Sequence, residues 1–274
     1  MGSICLALIA VIVKQVRHLP LMEIILFRNI PTMIIIPVMI KKANVPLLGN
    51  NKPMLWFSGL VTVILMLTGF YAFTTLPLTD AFTIFNLSPL FTFFLAGIFL
   101  KEKLHLRQIP LFFFAFIGGL LVIKPGFRIE IFPAMVALLT AICVAVSHTT
   151  LRHLRLTDHY LVIINYRIFI NSLVNLIILI LQKSFKMPNP SDLLMLTLLG
   201  VVTLVTQITV TKAYQLAPAS LVSLYTYSQI IFVSIFALLF FKEIPDVFSI
   251  LGASFIILSG YLNYRYKSNK NDKK

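Results

Sequence analysis

Thr203, Thr206, Gln207 and Tyr214 fall at i, i+3, i+4 and i+11 of one long apolar stretch. At about 3.6 residues per turn this spacing draws a polar stripe along one face of a helix. Hydroxyls and a carboxamide set this way could replace the water around a polar solute, or they could bond to neighbouring helices. A second stripe, Ser220, Ser223 and Tyr227 at i, i+3 and i+7, has Tyr225 and Gln229 beside it. Asn86 lies in another apolar stretch, following Thr79 and Phe82. Arg28 and Arg167 are embedded in apolar runs, and Arg167 leads a face of its own with Asn171 and Asn175 at i+4 and i+8. An arginine in a bilayer costs about 2.5–3.5 kcal/mol on insertion scales, so each needs compensation. It could gate a cavity or hold a substrate carboxylate bidentately. The alternative is a structural partner: a backbone carbonyl, Glu23 or Asp158. The candidate substrate-binding set is Asn86, Gln207, Tyr214, Tyr225, Tyr227, Gln229, Arg28 and Arg167.

Covalent chemistry is not expected. The chain has no HExxH, no GxSxG and no aspartate pair, so it offers no catalytic residues. Cys5 and Cys143 both lie in apolar runs without metal-ligand spacing, which predicts neither a metal nor a cofactor. Asp80 falls in the first turn of a segment, where a carboxylate suits the helix dipole. Glu102 and Glu243 follow two segments in equivalent turns and are read as structuring those loops. His148, well inside a segment, is read as packed and hydrogen-bonded. No carboxylate lies near the centre of a segment, which favours exchange or facilitated movement over proton or sodium coupling.

The elements that must position these groups are membrane helices. Of 274 residues, 59% are hydrophobic and 12% are charged, with a mean hydropathy of +0.95. A water-soluble domain needs far more polar surface, with about 25% charged residues on average. A span needs about 20 apolar residues. Ten candidates follow, at 2–16, 22–40, 54–75, 78–100, 108–124, 131–152, 160–182, 192–215, 218–241 and 246–265, separated by short connections carrying proline, asparagine and glycine. The first is short before Lys14, which suggests snorkelling or a helix whose start is missing. Met1 is followed almost at once by apolar sequence, with no small-residue cleavage site.

The net charge of +14 would suggest nucleic acid in a soluble protein. Here the basic residues cluster between apolar runs and in the tail, as topology signals do, so no nucleic-acid partner is expected. Placing both termini in the cytoplasm puts the larger share of lysine and arginine inside, at Lys41, Lys42, Lys101, Arg152, Arg155 and the tail among others. The expected setting is a cell inner membrane crossed many times, with the lipid bilayer and a small-molecule substrate as partners. The sequence leaves the oligomeric state open, a homodimer being one candidate.

Shifting the chain by 141 residues places Gly59 on Gly200, Thr68 on Thr209, Pro77 on Pro218, Asn86 on Tyr227 and Lys101-Glu102 on Lys242-Glu243. Near the start of each half a shift of 139 places Arg28 on Arg167. Five helices per copy is an odd number, so the second copy enters the membrane the opposite way round. This predicts an all-α membrane fold of ten helices in two inverted five-helix repeats, residues 1–128 and 129–266, followed by a basic cytoplasmic tail at 267–274. Many secondary transporters are built so, with a substrate site near the midplane between the halves.

The run Leu76-Pro77-Leu78-Thr79-Asp80-Ala81, then Leu87-Ser88-Pro89-Leu90-Phe91 and Leu100-Lys101-Glu102, resembles the drug/metabolite transporter superfamily, EamA-type. Tyr227-Ser228-Gln229, Phe240-Phe241-Lys242-Glu243-Ile244-Pro245-Asp246 and Ser259-Gly260-Tyr261 extend the likeness into the second half, and Phe27-Arg28-Asn29 into the first. The resemblance implies ten helices, cytoplasmic termini and a central cavity. Within the superfamily the chain is similar to the branch with bacterial S-adenosylmethionine uptake carriers. That implies a small polar metabolite as cargo, with amino acids, riboflavin and drugs as alternatives. A non-transporting membrane scaffold is the alternative of another class, and it would not need the polar stripes.

Overall fold

The computed structural model describes residues 1–16, 18–76, 81, 84–102, 108–123, 131–182, 188–242 and 247–271. Those residues are helical or in turns, with no strand among them. The elements are α1 (Gly2–Gln15), α2 (Leu21–Lys42), α3 (Lys52–Thr75), α4 (Ser88–Phe99), α5 (Ile109–Ile123), α6 (Ile131–Leu154), α7 (Tyr160–Gln182), α8 (Pro190–Leu216), α9 (Ala219–Thr226), α10 (Ser228–Phe241) and α11 (Val247–Asn271). Because α9 and α10 divide one apolar segment, these pieces answer to the ten expected helices. Six stretches of them are long and apolar enough to cross a membrane, and shorter apolar helices accompany these. With the hydrocarbon core as solvent, every backbone group must be satisfied within its own segment, which is why an apolar chain of this kind is helical throughout.

Two expectations change. The stretches 78–100 and 218–241 were expected to be continuous, yet each is interrupted. In the first, residues 84–85 are helical, Asn86 and Leu87 form a turn, and α4 starts at Ser88. Pro89 explains the turn: it has no N–H for the carbonyl four residues back, and its ring crowds that carbonyl. In the second, α9 stops at Thr226 and α10 restarts after Tyr227. No proline acts there. Instead the hydroxyls of Ser223, Thr226 and Ser228 donate to carbonyls three residues back, at 3.1, 2.6 and 2.7 Å, competing with the helical amides. The last helix is also longer than expected and runs through Asn271, into the stretch read as a tail. Asp80 and Glu243 lie outside the described residues.

The helices gather into two compact units. The first holds residues 1–67 and 150–217. In it α2 packs on α7 and α8, and α8 also takes α1. Ile12, Val16, Ile24, Leu196 and Leu199 form its apolar centre. The second holds residues 68–149 and 218–274. Here α5 lies along α11, and α4 packs on α9. Phe93 and Phe112, with ring centroids 4.7 Å apart, sit in its core with Leu224 and Tyr227. The α5–α11 approach is close because Gly118 has no side chain: a Cβ there would come 2.6 Å from the carbonyl oxygen of Gly252.

Two backbone positions repeat between the halves. Lys101 and Lys242 both take left-handed φ, +52° and +56°, just past the ends of α4 and α10. A left-handed residue is a common way to end a helix, but it is costly for any residue other than glycine or asparagine. The two lysines are the partners that the 141-residue register assigns.

Candidate functional site

In the first unit, α7 carries the polar groups. Arg167 donates from Nε to the Thr62 hydroxyl on α3 at 2.9 Å, and that hydroxyl donates in turn to the Ser58 carbonyl at 2.8 Å. One turn on, Asn171 and Ser172 together accept from the carboxamide of Asn29 on α2, at 3.1 and 3.0 Å. Asn171 also points its own amide at the Met66 sulfur, 3.3 Å away. A further turn on, Asn175 donates to the carbonyl of Met22 at 2.8 Å. The i, i+4, i+8 face read in the sequence is thus a buried interhelical network tying α7 to α2 and α3. Its members Asn29, Asn171, Ser172 and Asn175 are almost wholly buried, as is Glu23 in the first turn of α2. Arg28 Nε is shielded from solvent, and no described residue accepts from it.

The expected alternative that Asp158 pairs with an arginine is overturned. Asp158 sits in the α6–α7 loop and accepts from the backbone amides of Asn50 and Asn51, at 2.6 and 3.2 Å, and from the Thr157 hydroxyl at 2.7 Å. Amide donors converging on a carboxylate are among the stronger hydrogen bonds. Gly49, at φ +64°, makes the approach possible, since a Cβ there would fall 2.5 Å from Asp158 Oδ1. The Asp158 carbonyl accepts from Gln215 at 3.0 Å, and Arg152 donates to the Gln215 carbonyl at 2.7 Å. Two loops and the C-terminal end of α8 are therefore fastened together. Beside them, partial burial and then the charge of Lys212 hold the His159 imidazole below its ordinary range.

Of the candidate binding residues, Arg28, Arg167, Gln207 and Tyr214 belong to this unit. Gln207 is half-buried on α8 and Tyr214 is fully buried there. Thr203 and Thr206, from the same stripe, are also buried, and Thr206 donates back to the Val202 carbonyl at 2.7 Å.

Asn86, Tyr225, Tyr227 and Gln229 belong to the second unit. Two of them meet. The Tyr227 hydroxyl donates to the Asn86 carbonyl at 2.8 Å, so the residues at the two helix interruptions touch. Tyr227 is 1% exposed and packed among apolar side chains. Tyr225, 39% exposed, lays its ring against Gly260, and Gln229 is half-buried. Glu102 reaches the start of α9, where its carboxylate accepts from the amides of Ala219 and Ser220, at 3.0 and 3.3 Å, and from the Ser220 hydroxyl at 2.9 Å. This fills the role of a helix N-cap from a distant loop.

Sequence reading missed several of these groups. Asn29 was named only within a family motif, Ser172 was passed over, and Arg152 was counted only as a topology charge. Asn29 could have been found, as an amide next to Arg28 in an apolar run. Nothing local marks Arg152 as a clamp on α8. Among the described residues no cluster of histidine, cysteine, aspartate and glutamate could hold a metal ion.

Residues 1–124 and 131–265 each match the EamA-like transporter family. The pseudopaline exporter CntI of Pseudomonas aeruginosa is 28% identical over 94% of this chain and 92% of its own length. Mouse solute carrier family 35 member G1 is 30% identical over 90% of this chain and 72% of its own. An uncharacterized transporter of Helicobacter pylori is 27% identical over 96% and 91%. One solved crystal structure shares the fold with a TM-score of 0.86 over 94% of this chain and 92% of its own, at 14% identity.

Proposed function

The chain belongs to the EamA-like transporter family, and from that premise we propose that it is a secondary carrier moving a small polar organic metabolite by alternating access. It is a multi-pass membrane protein and a transporter rather than an enzyme. In our reading it works in a bacterial inner membrane, both termini face the cytoplasm, and residues 1–128 and 129–266 are inverted repeats. The observation that carries this reading is the pair of matched helix interruptions, at Asn86 and at Tyr227, joined by a hydrogen bond. Discontinuous helices in corresponding positions of two repeats are the pointer to a carrier's site, because half-helix ends and freed carbonyls can meet a solute there. The matched left-handed lysines and the two family matches support the repeat in the same way.

The proposed lining is Asn86, Gln207, Tyr214, Tyr225, Tyr227 and Gln229, with Arg28 and Arg167 as gating or carboxylate-pairing groups. Hydroxyls, amides, aromatic rings and guanidinium together suit a zwitterionic metabolite such as an amino acid, or a flavin. S-adenosylmethionine, taken up or exchanged, ranks first by family resemblance, ahead of amino acids, riboflavin and drugs. A relative whose printed name is an exporter makes outward transport the second reading.

Counterflow in proteoliposomes tests the proposal. Vesicles are preloaded with unlabelled S-adenosylmethionine, riboflavin, an amino acid or a purine nucleoside, and the matching labelled solute is added outside. Saturable accumulation of one solute, absent from protein-free vesicles, supports the carrier and names its substrate class. Folded protein that accumulates none removes these cargoes and leaves an untested solute or a non-transporting role.

A further inference from the structure

A groove opens between α2 and α7 on the surface of the first unit. Its volume is about 250 Å³, and Thr32, Met33, Pro37, Leu47, Asn165 and Phe169 are among the residues lining it. Both walls belong to helices long and apolar enough to span a membrane, so hydrocarbon chains are the medium outside. Met33 and Phe169 are exposed, and the inner wall offers two polar groups, Asn165 and the Thr32 hydroxyl, which is buried and has no described partner. A purely hydrocarbon occupant would leave the Asn165 carboxamide unsatisfied.

The mouth of this groove has a definite level and charge. Met33, Pro37 and Lys41 fall at i, i+4 and i+8 of α2, so the stripe that lines the groove leads straight to a lysine. Lys41 and Lys42 are both exposed at the end of α2. Leu47, in the following loop, closes the same end, and Tyr166 donates to the neighbouring Leu48 carbonyl at 3.0 Å. Tyr166 meets Trp56 edge-on, with centroids 6.2 Å apart. Exposed tryptophan and tyrosine gather at the headgroup level of a bilayer. Asp158, the carboxylate of the adjoining loops, accepts from the amides of Asn50 and Asn51 and forms no ion pair with either lysine.

We infer that the α2–α7 groove is a binding site for an anionic glycerophospholipid, with one acyl chain between Met33 and Phe169, the ester region at Asn165, and the phosphate at Lys41 and Lys42. The Asn165 carboxamide can donate to an ester carbonyl, and the apolar walls take the chain. A lysine near an anionic headgroup favours it enough that two together enrich an anionic lipid about thirtyfold over a zwitterionic one. The inference needs only that the chain spans a bilayer and is independent of what it transports.

Trp56 is the only tryptophan in the sequence and stands beside the groove, so its fluorescence reports the lipid there. The full chain is reconstituted in mixed bilayers of dioleoylphosphatidylglycerol and dioleoylphosphatidylcholine, with bromine on the acyl chains of one lipid at a time. The brominated anionic lipid is expected to quench more strongly than the brominated zwitterionic lipid at equal mole fraction. The double variant K41Q/K42Q should abolish the difference. Removing the same charge at the far end of the chain, in K270Q/K273Q, should keep it. Asn165→Phe, which fills the groove and leaves the lysines, should also abolish it. Equal quenching by the two lipids in the unaltered protein overturns the site. So does a difference lost equally in both lysine pairs, which would be bulk attraction to a basic protein, or one that survives in K41Q/K42Q.

Discussion

The hydroxyl of Tyr227 donates to the backbone carbonyl of Asn86, 2.8 Å away and 141 residues earlier in the chain. That separation equals the 141-residue shift of the sequence register, which aligns Asn86 with Tyr227. Both stand where a helix is interrupted. The bond gives the Asn86 carbonyl a partner at a point where the interrupted helix leaves carbonyls without helical amides, beside the apolar cluster that holds Tyr227.

Tyr227→Phe therefore removes a hydrogen bond and should lower stability by about 0.5–1.5 kcal/mol, the net worth of one such bond. Asn86→Ala keeps the backbone carbonyl and hence the bond, so it should cost less. Thermal unfolding of the purified protein in detergent separates the two. Equal losses would mean that the hydrogen bond is not what joins the two interruptions.

The link from Arg167 to Thr62 predicts a different pattern. Thr62→Val removes both the hydroxyl that accepts from Arg167 and its bond to the Ser58 carbonyl, whereas Thr62→Ser keeps both. Valine should destabilise by about 1–3 kcal/mol and serine by much less. Arg167→Lys tests the proposed role in transport. Lysine keeps the charge but has no Nε–H in a planar fork. If the guanidinium acts on the cargo, this variant should express normally and lose about tenfold in transport rate, the size of one charge-assisted hydrogen bond. Lost expression would assign Arg167 to structure alone.

Asp158 is the centre of a fastening that joins the 43–51 loop to the 155–159 loop. Asp158→Asn replaces a carboxylate that accepts from two amides and a hydroxyl by a group with one acceptor oxygen. The loss should be about 1.5–3 kcal/mol. Its local consequence should be faster protease cleavage in the 43–51 loop, read by mass spectrometry of timed digests. An unchanged cleavage rate would show that the loop is held by other contacts, such as the Asn50 amide to the Thr157 carbonyl at 2.6 Å.

How far each of these relationships could be read beforehand depends on the range of its cause. The helix count and most boundaries follow from apolar length and from proline and asparagine punctuation, which are local. The interruption at Asn86 was legible in principle, because Pro89 cannot supply the amide that continuity requires. The one at Tyr227 was not, since three dispersed hydroxyls produce it and serine and threonine are common in membrane helices without breaking them. Asp158 and Arg152 act on backbone groups 107 and 63 residues away. Backbone partners carry no side-chain signature, so no pairing of residue types points to them. The polar face of α7 was visible as a face, but its partner Asn29 depends on the packing of α2, which periodicity does not determine.

The same dependence on packing separates two glycines that sequence treats alike. Gly118 lies where α5 crosses α11, and a Cβ there would meet the Gly252 carbonyl oxygen at 2.6 Å. Gly69, within α3, would place a Cβ 3.5 Å from the Thr140 methyl, an ordinary contact. Alanine favours a helix over glycine by about 0.5–1 kcal/mol. At position 69 that preference meets no obstacle, so Gly69→Ala should leave stability unchanged or raise it by that amount. At position 118 the helix preference is outweighed, because a backbone oxygen cannot swing aside and the two helices must separate. Overpacking of this kind costs about 1–3 kcal/mol. Gly118→Ala should thus lower the unfolding temperature while Gly69→Ala does not. The comparison is made on the two single variants and their double, and since the sites share no partner the effects should add. A Gly118→Ala protein as stable as the parent would show that α5 and α11 are not held at this close approach.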